Sequence, residues 1–289
     1  MGRGVVTALL AHGHSVTCTV KDSTAHQALQ AAFPDQPRLS LVDIFLSPAS
    51  GPELTLLARD YDCIIHSVHS FGDDYHAMEE VCLRAFIEAG KATAAAGRPC
   101  QLISTTSTAS IGRTEEEVDE TGSTDHPSSL GIWRVPMERL VLDAAEGDFL
   151  TAVVRPVWVY GGSWVDQYVH AVKAKGLAVA PAMEGNFGLI HRDDLADLYR
   201  LIMEKRASGI FHGTEPHYTS TSQVLSKVQA FCGQQPAVRT EAPNEYVKDY
   251  GYFLWGMEGQ QRAVPRRSLE LGWSPRYNFL TSFEEIYGS

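Results

Sequence analysis

The sequence predicts an α/β protein, a doubly wound parallel sheet missing its first strand over residues 1–160, followed by a smaller α/β lobe over 161–289 that shares its core. Three observations predict this. Up to about residue 160, short β-branched runs alternate with helical stretches, the pattern of parallel strands joined by right-handed crossovers. Beyond residue 160, glycine and proline punctuate shorter elements. The chain also opens on MGRGVVTALLAHGHSVTCTV, where a helix runs into a strand that should itself follow a strand.

In that opening run Val5, Val6, Leu9 and Leu10 form the apolar stripe of a packed helix, Gly13 stops it, and Ser15 to Val20 is a strand. SVTCTV (15–20), RLSLV (38–42), DCIIHSV (62–68), CQLISTT (100–106) and LTAVVRP (150–156) are the expected strands of the first unit. Its clearest helices are Asp74 to Ala96 and Met137 to Ala145. In the second lobe, helices are expected near 165–175, 194–205 and 221–232, with Asp193 as an N-cap. Ligands of such a sheet bind at the carboxyl ends of its strands.

The chain has 289 residues, 44% of them hydrophobic, enough to bury a large core. Its formal charge of −11 offers no basic stripe to displace counterions, which argues against nucleic acid or an anionic membrane as partner. No run approaches the roughly 20 apolar residues of a membrane span, and no basic leader precedes a short apolar run, so a cytoplasmic location is expected. Cys18, Cys63, Cys82, Cys100 and Cys232 are scattered, odd in number and free of CxxC spacing, as reduced core residues would be. The acidic run Glu115 to Glu120 is expected to be a solvated loop. His66, His69, Asp73 and His76 could be drawn as metal ligands, but no matching spacing elsewhere completes a site and no metal is expected.

Gly2-Arg3-Gly4-Val5-Val6 with LLAHGHSVTCTV resembles the first helix and second strand of the Rossmann unit in the extended and atypical short-chain dehydrogenase/reductase family, also called NAD-dependent epimerase/dehydratase. Asp43-Ile44, IIHSVHS (64–70), STTSTASIG (104–112), RPVWVYG (155–161), LIHRDDLADLYRLIME (189–204) and LGWSP (271–275) continue the series in the family's order and spacing. The resemblance implies a first strand ending in TGxxGxxG, with Gly2 at the third glycine. Either Met1 is an internal methionine of a longer natural chain, or the place of that strand is filled otherwise. An absent central strand leaves a slot of roughly 10 Å between its neighbours, because paired strands lie about 4.8 Å apart.

The resemblance also implies a dinucleotide. Gly2 and Arg3 would face the diphosphate, Asp43 and Ile44 the adenine, and Ser67, Val68, Thr105, Arg134 and Pro156 would be further cofactor-binding residues. Lys21 stands where an acid would hold the ribose of NAD, so NADP(H) is the expected cofactor, with Asp22 beside it. With only Gly2, Arg3 and Gly4 left to receive the diphosphate, NADPH is expected to bind weakly or not at all.

Family redox chemistry uses a YxxxK pair. Registering on Met137-Glu138-Arg139-Leu140 places Leu130 at the tyrosine and Arg134 at the lysine, so the usual acid is absent. Ser107 takes the family's Ser/Thr position. An arginine is a poor proton shuttle, which leaves His191 as the first choice of near-neutral proton carrier beside Ser107 and Arg134. Trp158, Trp164, Phe187 and Trp255, with Tyr252, suggest an apolar or aromatic small molecule as substrate. The leading expectation is an NADP(H)-dependent reductase or epimerase/dehydratase-like enzyme. The alternatives are a redox-inactive, cofactor-free descendant catalysing an isomerisation, dehydration or cyclisation, and a non-catalytic regulator; the open sheet also allows a homodimer.

Overall fold

The computed structural model describes residues 1–20, 23–44, 46–47, 49–68, 75–162 and 164–288. In chain order the first part holds α1 (Gly2–Ala11), β1 (Val16–Val20), α2 (Ser23–Ala32), β2 (Leu39–Asp43), α3 (Gly51–Ala58), β3 (Cys63–His66), α4 (Tyr75–Ala95), β4 (Cys100–Thr105), a 3-10 turn (Thr108–Ile111), β5 (Glu117–Val118), α5 (Arg134–Leu142), β6 (Phe149–Pro156) and β7 (Trp158–Tyr160). There follow α6 (Trp164–Lys175), β8 (Ala178–Pro181), β9 (Asn186–His191), α7 (Arg192–Glu204), β10 (Gly209–Gly213), β11 (Tyr218–Ser220), α8 (Thr221–Phe231) and β12 (Ala237–Thr240). After a second 3-10 turn (Pro243–Glu245) the chain ends with α9 (Val247–Tyr250), α10 (Phe253–Met257), β13 (Arg262–Ala263), α11 (Arg266–Glu270) and α12 (Phe283–Tyr287).

α1 buries Val5, Val6, Leu9 and Leu10, the stripe read from the sequence, and packs against α7. Gly13 at φ +90° ends it, a conformation that costs glycine little, and β1 follows. β1 and β2 pair in parallel as a separate two-stranded piece. The main sheet runs β10-β6-β4-β3, all parallel. No described strand lies between β1 and β3. A cavity of about 1090 Å³ separates them, lined by Val16 and Cys18 on one side and Cys63 and Ile65 on the other.

Three smaller sheets complete the fold: β11-β9-β7, β12-β8 and β13-β5. One core lies under the main sheet and joins Val5 and Leu9 to Val154, Ile190, Leu198, Tyr199 and Trp273. A second gathers Tyr168, Phe187, Phe253, Phe279 and Phe283. α7 and β10, although beyond residue 160, return to pack against or extend the main sheet.

Several local expectations are corrected. The acidic run is not wholly solvated: Glu117 and Val118 pair with Arg262 and Ala263, and Glu120 is buried, accepting from the backbone N–H of His212 and Arg267. His191, not Asp193, is the N-cap of α7, its Nδ1 accepting from the Asp193 N–H at 3.3 Å. The helix expected at 137–145 begins at Arg134. Of the cysteines, Cys82 and Cys100 are buried while Cys18, Cys63 and Cys232 are partly exposed, and all are free thiols. No helix among the described residues is long and apolar enough to cross a membrane.

Candidate functional site

The carboxyl ends of β3 and β4 and the first turn of α1 meet at one corner. A Cβ placed on Gly2 would lie 3.6 Å from Ser67 Oγ, and one on Gly4 would lie 3.0 Å from Arg192 Cγ. Gly4 and Val5 already donate their N–H groups to Met1 O, whereas α1 has no side-chain cap for the N–H groups of Gly2 and Arg3. Orphan donors at a helix start favour an anion. The Arg192 side chain packs against this first turn. Arg192 is partly compensated, since its Nε donates to Asp193 Oδ1 at 3.0 Å. In donor type and charge the corner fits a diphosphate.

Ile44 is buried, and the Asp43 carboxylate is paired with His26 Nδ1 at 2.7 Å. Lys21 and Asp22 lie outside the described residues.

Beyond the corner, a buried polar cluster ties the β4 end to α5. Glu138 accepts from Thr106 Oγ1 at 2.6 Å, from Ser110 Oγ at 2.7 Å and from Arg155 Nε at 3.0 Å. Ser107 sits between the two hydroxyl residues, in extended conformation, and caps the 3-10 turn by accepting from Ala109 N–H at 3.1 Å. Arg134, one helical turn before Glu138, is buried; its guanidinium donates to Leu130 O and lies 4.4 Å from the Trp133 ring centroid. Burial lowers its pKa, while Tyr75, Glu79 and Glu138 act the other way. Pro156 ends β6 beside Arg155, and Thr105 Oγ1 is bonded to the Tyr199 hydroxyl at 2.6 Å.

Tyr75 and Glu79 escaped the sequence reading, which considers His66 only as a metal ligand or proton carrier. The Tyr75 hydroxyl donates to Val68 O at 3.0 Å, and its ring stands edge-on to Trp133 at 5.2 Å. Burial and the Glu79 carboxylate push its pKa up, against Arg134, so the phenol stays protonated and acts as a donor. His66 and Glu79 are both buried and bonded at 2.9 Å. No spacing rule links Tyr75 on α4 to Arg134 on α5; only the tertiary approach of these helices does. His76 stacks on Trp133 at 4.5 Å, while His69 and Asp73 lie outside the described residues. Among the described residues no cluster of three or more His, Cys, Asp or Glu side chains is arranged to hold a metal.

His191 stands elsewhere. It is buried and lines a cavity of about 460 Å³ with Gly161, Gly162, Lys173 and Tyr277, a lining that includes neither Ser107 nor Arg134. The Tyr277 ring is 4.0 Å away centroid to centroid. Because Nδ1 accepts, the proton resides on Nε2, and burial lowers the pKa of the ring. The expected substrate aromatics form a chain of rings, Trp158 to Trp164 at 6.4 Å, Trp164 to Tyr252 at 5.2 Å and Tyr252 to Trp255 at 4.9 Å. Phe187 is only 2% exposed and packs at 5.8 Å on Phe253 inside the second core.

No family model and no curated protein matches this sequence. Solved structures do match its fold. A dTDP-glucose 4,6-dehydratase from Bacillus anthracis in complex with NAD is similar with TM-score 0.78 and 11% identity, over 99% of this chain and 91% of that one. Pal from Bacillus thuringiensis is similar with TM-score 0.76 and 15% identity, over 99% and 94%. Human epimerase family protein SDR39U1 with NADPH is similar with TM-score 0.67 and 17% identity, over 100% and 96%. The sheet order, the α1 start beside the β3 end and these likenesses show that the chain shares the Rossmann fold of these structures.

Proposed function

We infer that this chain is an NADP(H)-dependent reductase or epimerase/dehydratase-like enzyme acting on a small apolar or aromatic molecule. The observation that carries the reading is the corner where the α1 start meets Ser67 and Arg192. There the N–H groups of Gly2 and Arg3, the Arg3 charge and the Ser67 hydroxyl would hold the diphosphate, with Lys21 and Asp43 toward the adenosine and Val68, Thr105 and Pro156 toward the nicotinamide. When bound, the nicotinamide supplies hydride chemistry.

The chain's own residues do the rest. Glu138 fixes Thr106 and Ser110 on either side of Ser107, so the Ser107 hydroxyl is held at the strand end as a donor to a substrate oxygen. Arg134 offers a permanent positive charge to that oxygen or to a ribose hydroxyl, and Tyr75 pins the Val68 carbonyl. Trp158, with Trp164, Tyr252 and Trp255 of the smaller lobe over 161–289, supplies an apolar wall. His191, in its separate cavity, is assigned to proton exchange only if substrate extends there.

Absorbance at the reduced-nicotinamide band tests this: NADPH should be consumed in the presence of small aromatic aldehydes or ketones, and Ser107→Ala should slow it at least tenfold. No consumption across such a panel, in the presence of demonstrated NADPH binding, favours the second reading, a redox-inactive descendant. The specific support for that alternative is Leu130, 41% exposed at the position of the family's tyrosine, with Arg134 bonded back to its carbonyl.

A further inference from the structure

We propose that the cavity lined by His191 is a binding site for a small hydroxyaryl amine, held as its ammonium ion. The proposal stands apart from the cofactor reading. At about 460 Å³ the cavity lies within the range of small-molecule sites, and it is walled by one face of α6, by α12 and by the residues that follow β7 and close β9. α6 supplies Asp166, Val169, His170 and Lys173, spaced i, i+3, i+4 and i+7 and so on one face. Asp166 is buried, while Lys173, two turns or about 10 Å further on, is exposed. The helix therefore runs from the floor of the cavity to its mouth.

The floor presents a donor beside an acceptor. His191 is 5% exposed, and because its Nδ1 accepts from the Asp193 N–H, the proton on Nε2 is the one it can give. That nitrogen is turned to Gly161, where a Cβ would lie 2.3 Å away, and it has no hydrogen-bond partner among the described residues. Burial lowers the pKa of the ring while Asp193, Asp194 and Asp166 act against it, which brings the Asp166 carboxylate within reach of the same end. A hydroxyl accepts from the first and donates to the second. A carboxylate lacks the donor and an ammonium lacks the acceptor.

Aromatic rings line the middle: Tyr277 stands 4.0 Å from His191, and Phe231 and Tyr287 are 6.4 Å apart. Such walls favour a ring and, through their negative faces, a cation. Charge decides the sign. The described lining sets Asp166, Asp193 and Glu285 against Lys173 and Arg192, an excess of one acid, in a chain of net charge −11. Arg192 and Asp193 compensate each other at 3.0 Å, and the Lys173 ammonium rests 5.6 Å from the Phe231 ring centroid. Glu285, exposed at the mouth, has no ion-pair partner among the described residues. A ring with a hydroxyl at one end and an ammonium at the other sets its oxygen at His191 and Asp166 and its charge at Glu285.

The test is calorimetric titration of the protein as it stands with tyramine, phenethylamine and para-hydroxyphenylacetate, beside histidine NMR of the His191 ring. Tyramine should bind saturably, about tenfold tighter than phenethylamine, which lacks the hydroxyl, and than the acetate, which reverses the charge. It should move the His191 Nε2–H signal, and Glu285→Gln should weaken it about threefold. The proposal is overturned by the absence of saturable binding at millimolar tyramine, or by equal or tighter binding of either comparison compound. It is equally overturned by binding that leaves the His191 signal in place or that is unaffected by Glu285→Gln.

Discussion

Arg155 grips both carboxylate oxygens of Glu138, with Nε 3.0 and 3.1 Å from the two oxygens and Nη2 2.5 Å from Oε2, and both side chains are almost wholly buried. The pair joins β6 to α5. Through Thr106 and Ser110 it also fixes the turn that carries Ser107. Removing one member leaves an uncompensated buried charge, which costs about 3–5 kcal/mol. Arg155→Met should therefore lower unfolding stability by that amount in urea titration. Arg155→Met with Glu138→Leu should recover a good part of it. A single variant as stable as the parent would contradict the structural role given to the pair.

Gly112 closes the same turn. Its φ is +67°, and a Cβ there would lie 2.0 Å from the His126 carbonyl oxygen, a rigid backbone atom. Gly97 shares the positive φ, +78°, but has no atom within 4 Å of its Cβ position. Gly97→Ala should cost about 1 kcal/mol from backbone strain alone, and Gly112→Ala about 2–4 kcal/mol with loss of Ser107-dependent activity. Thermal denaturation of the two variants side by side measures the difference.

Glu215 makes stability depend on pH. Burial raises its pKa to about 8, assisted by Asp194 and opposed by hydrogen bonds from Tyr160 Oη at 2.7 Å and Phe279 N–H at 3.2 Å. His217 and Asn278 also face its second oxygen. A carboxyl group protonated in the fold and ionised when unfolded stabilises fully below about pH 4.5 and loses that contribution as pH rises to about 8. The melting temperature should fall over this window, and Glu215→Gln, which keeps an acceptor for Tyr160, should flatten the fall. An unchanged profile in the variant would show that Glu215 does not carry it.

His191 acts with the opposite sign. Its pKa is lowered by burial, so it contributes stability above its unfolded value near 6.5 that is lost as pH falls. Histidine NMR should show the ring neutral, with the proton on Nε2, throughout the neutral range. A ring that is charged at pH 6 would contradict the burial account.

The legible parts of the fold were those governed by local pattern. The α1 stripe, Gly13 and the β-branched runs that became β1 to β4 and β6 each follow from spacing. What the sequence hid depends on approach between distant elements. His26 reaches Asp43, Glu79 reaches His66, and Tyr75 is carried beside Arg134, with no motif marking any of them. His191 stands apart from Ser107 for a related reason: at the end of β9 it faces Tyr277 and Gly161, while Ser107 lies at the end of a different sheet.

The central claim of the proposed function is that the start of α1, with Arg3 and Ser67, would serve as a diphosphate corner. Calorimetric titration of NADPH tests this most directly, in the chain and in Arg3→Glu, an exposed position whose reversal leaves the core untouched. The account predicts weak binding, with a Kd on the order of 100 µM, lowered in affinity at least tenfold, about 1.4 kcal/mol, by the reversal. No heat of binding at millimolar NADPH, or equal affinity in the two proteins, would contradict it.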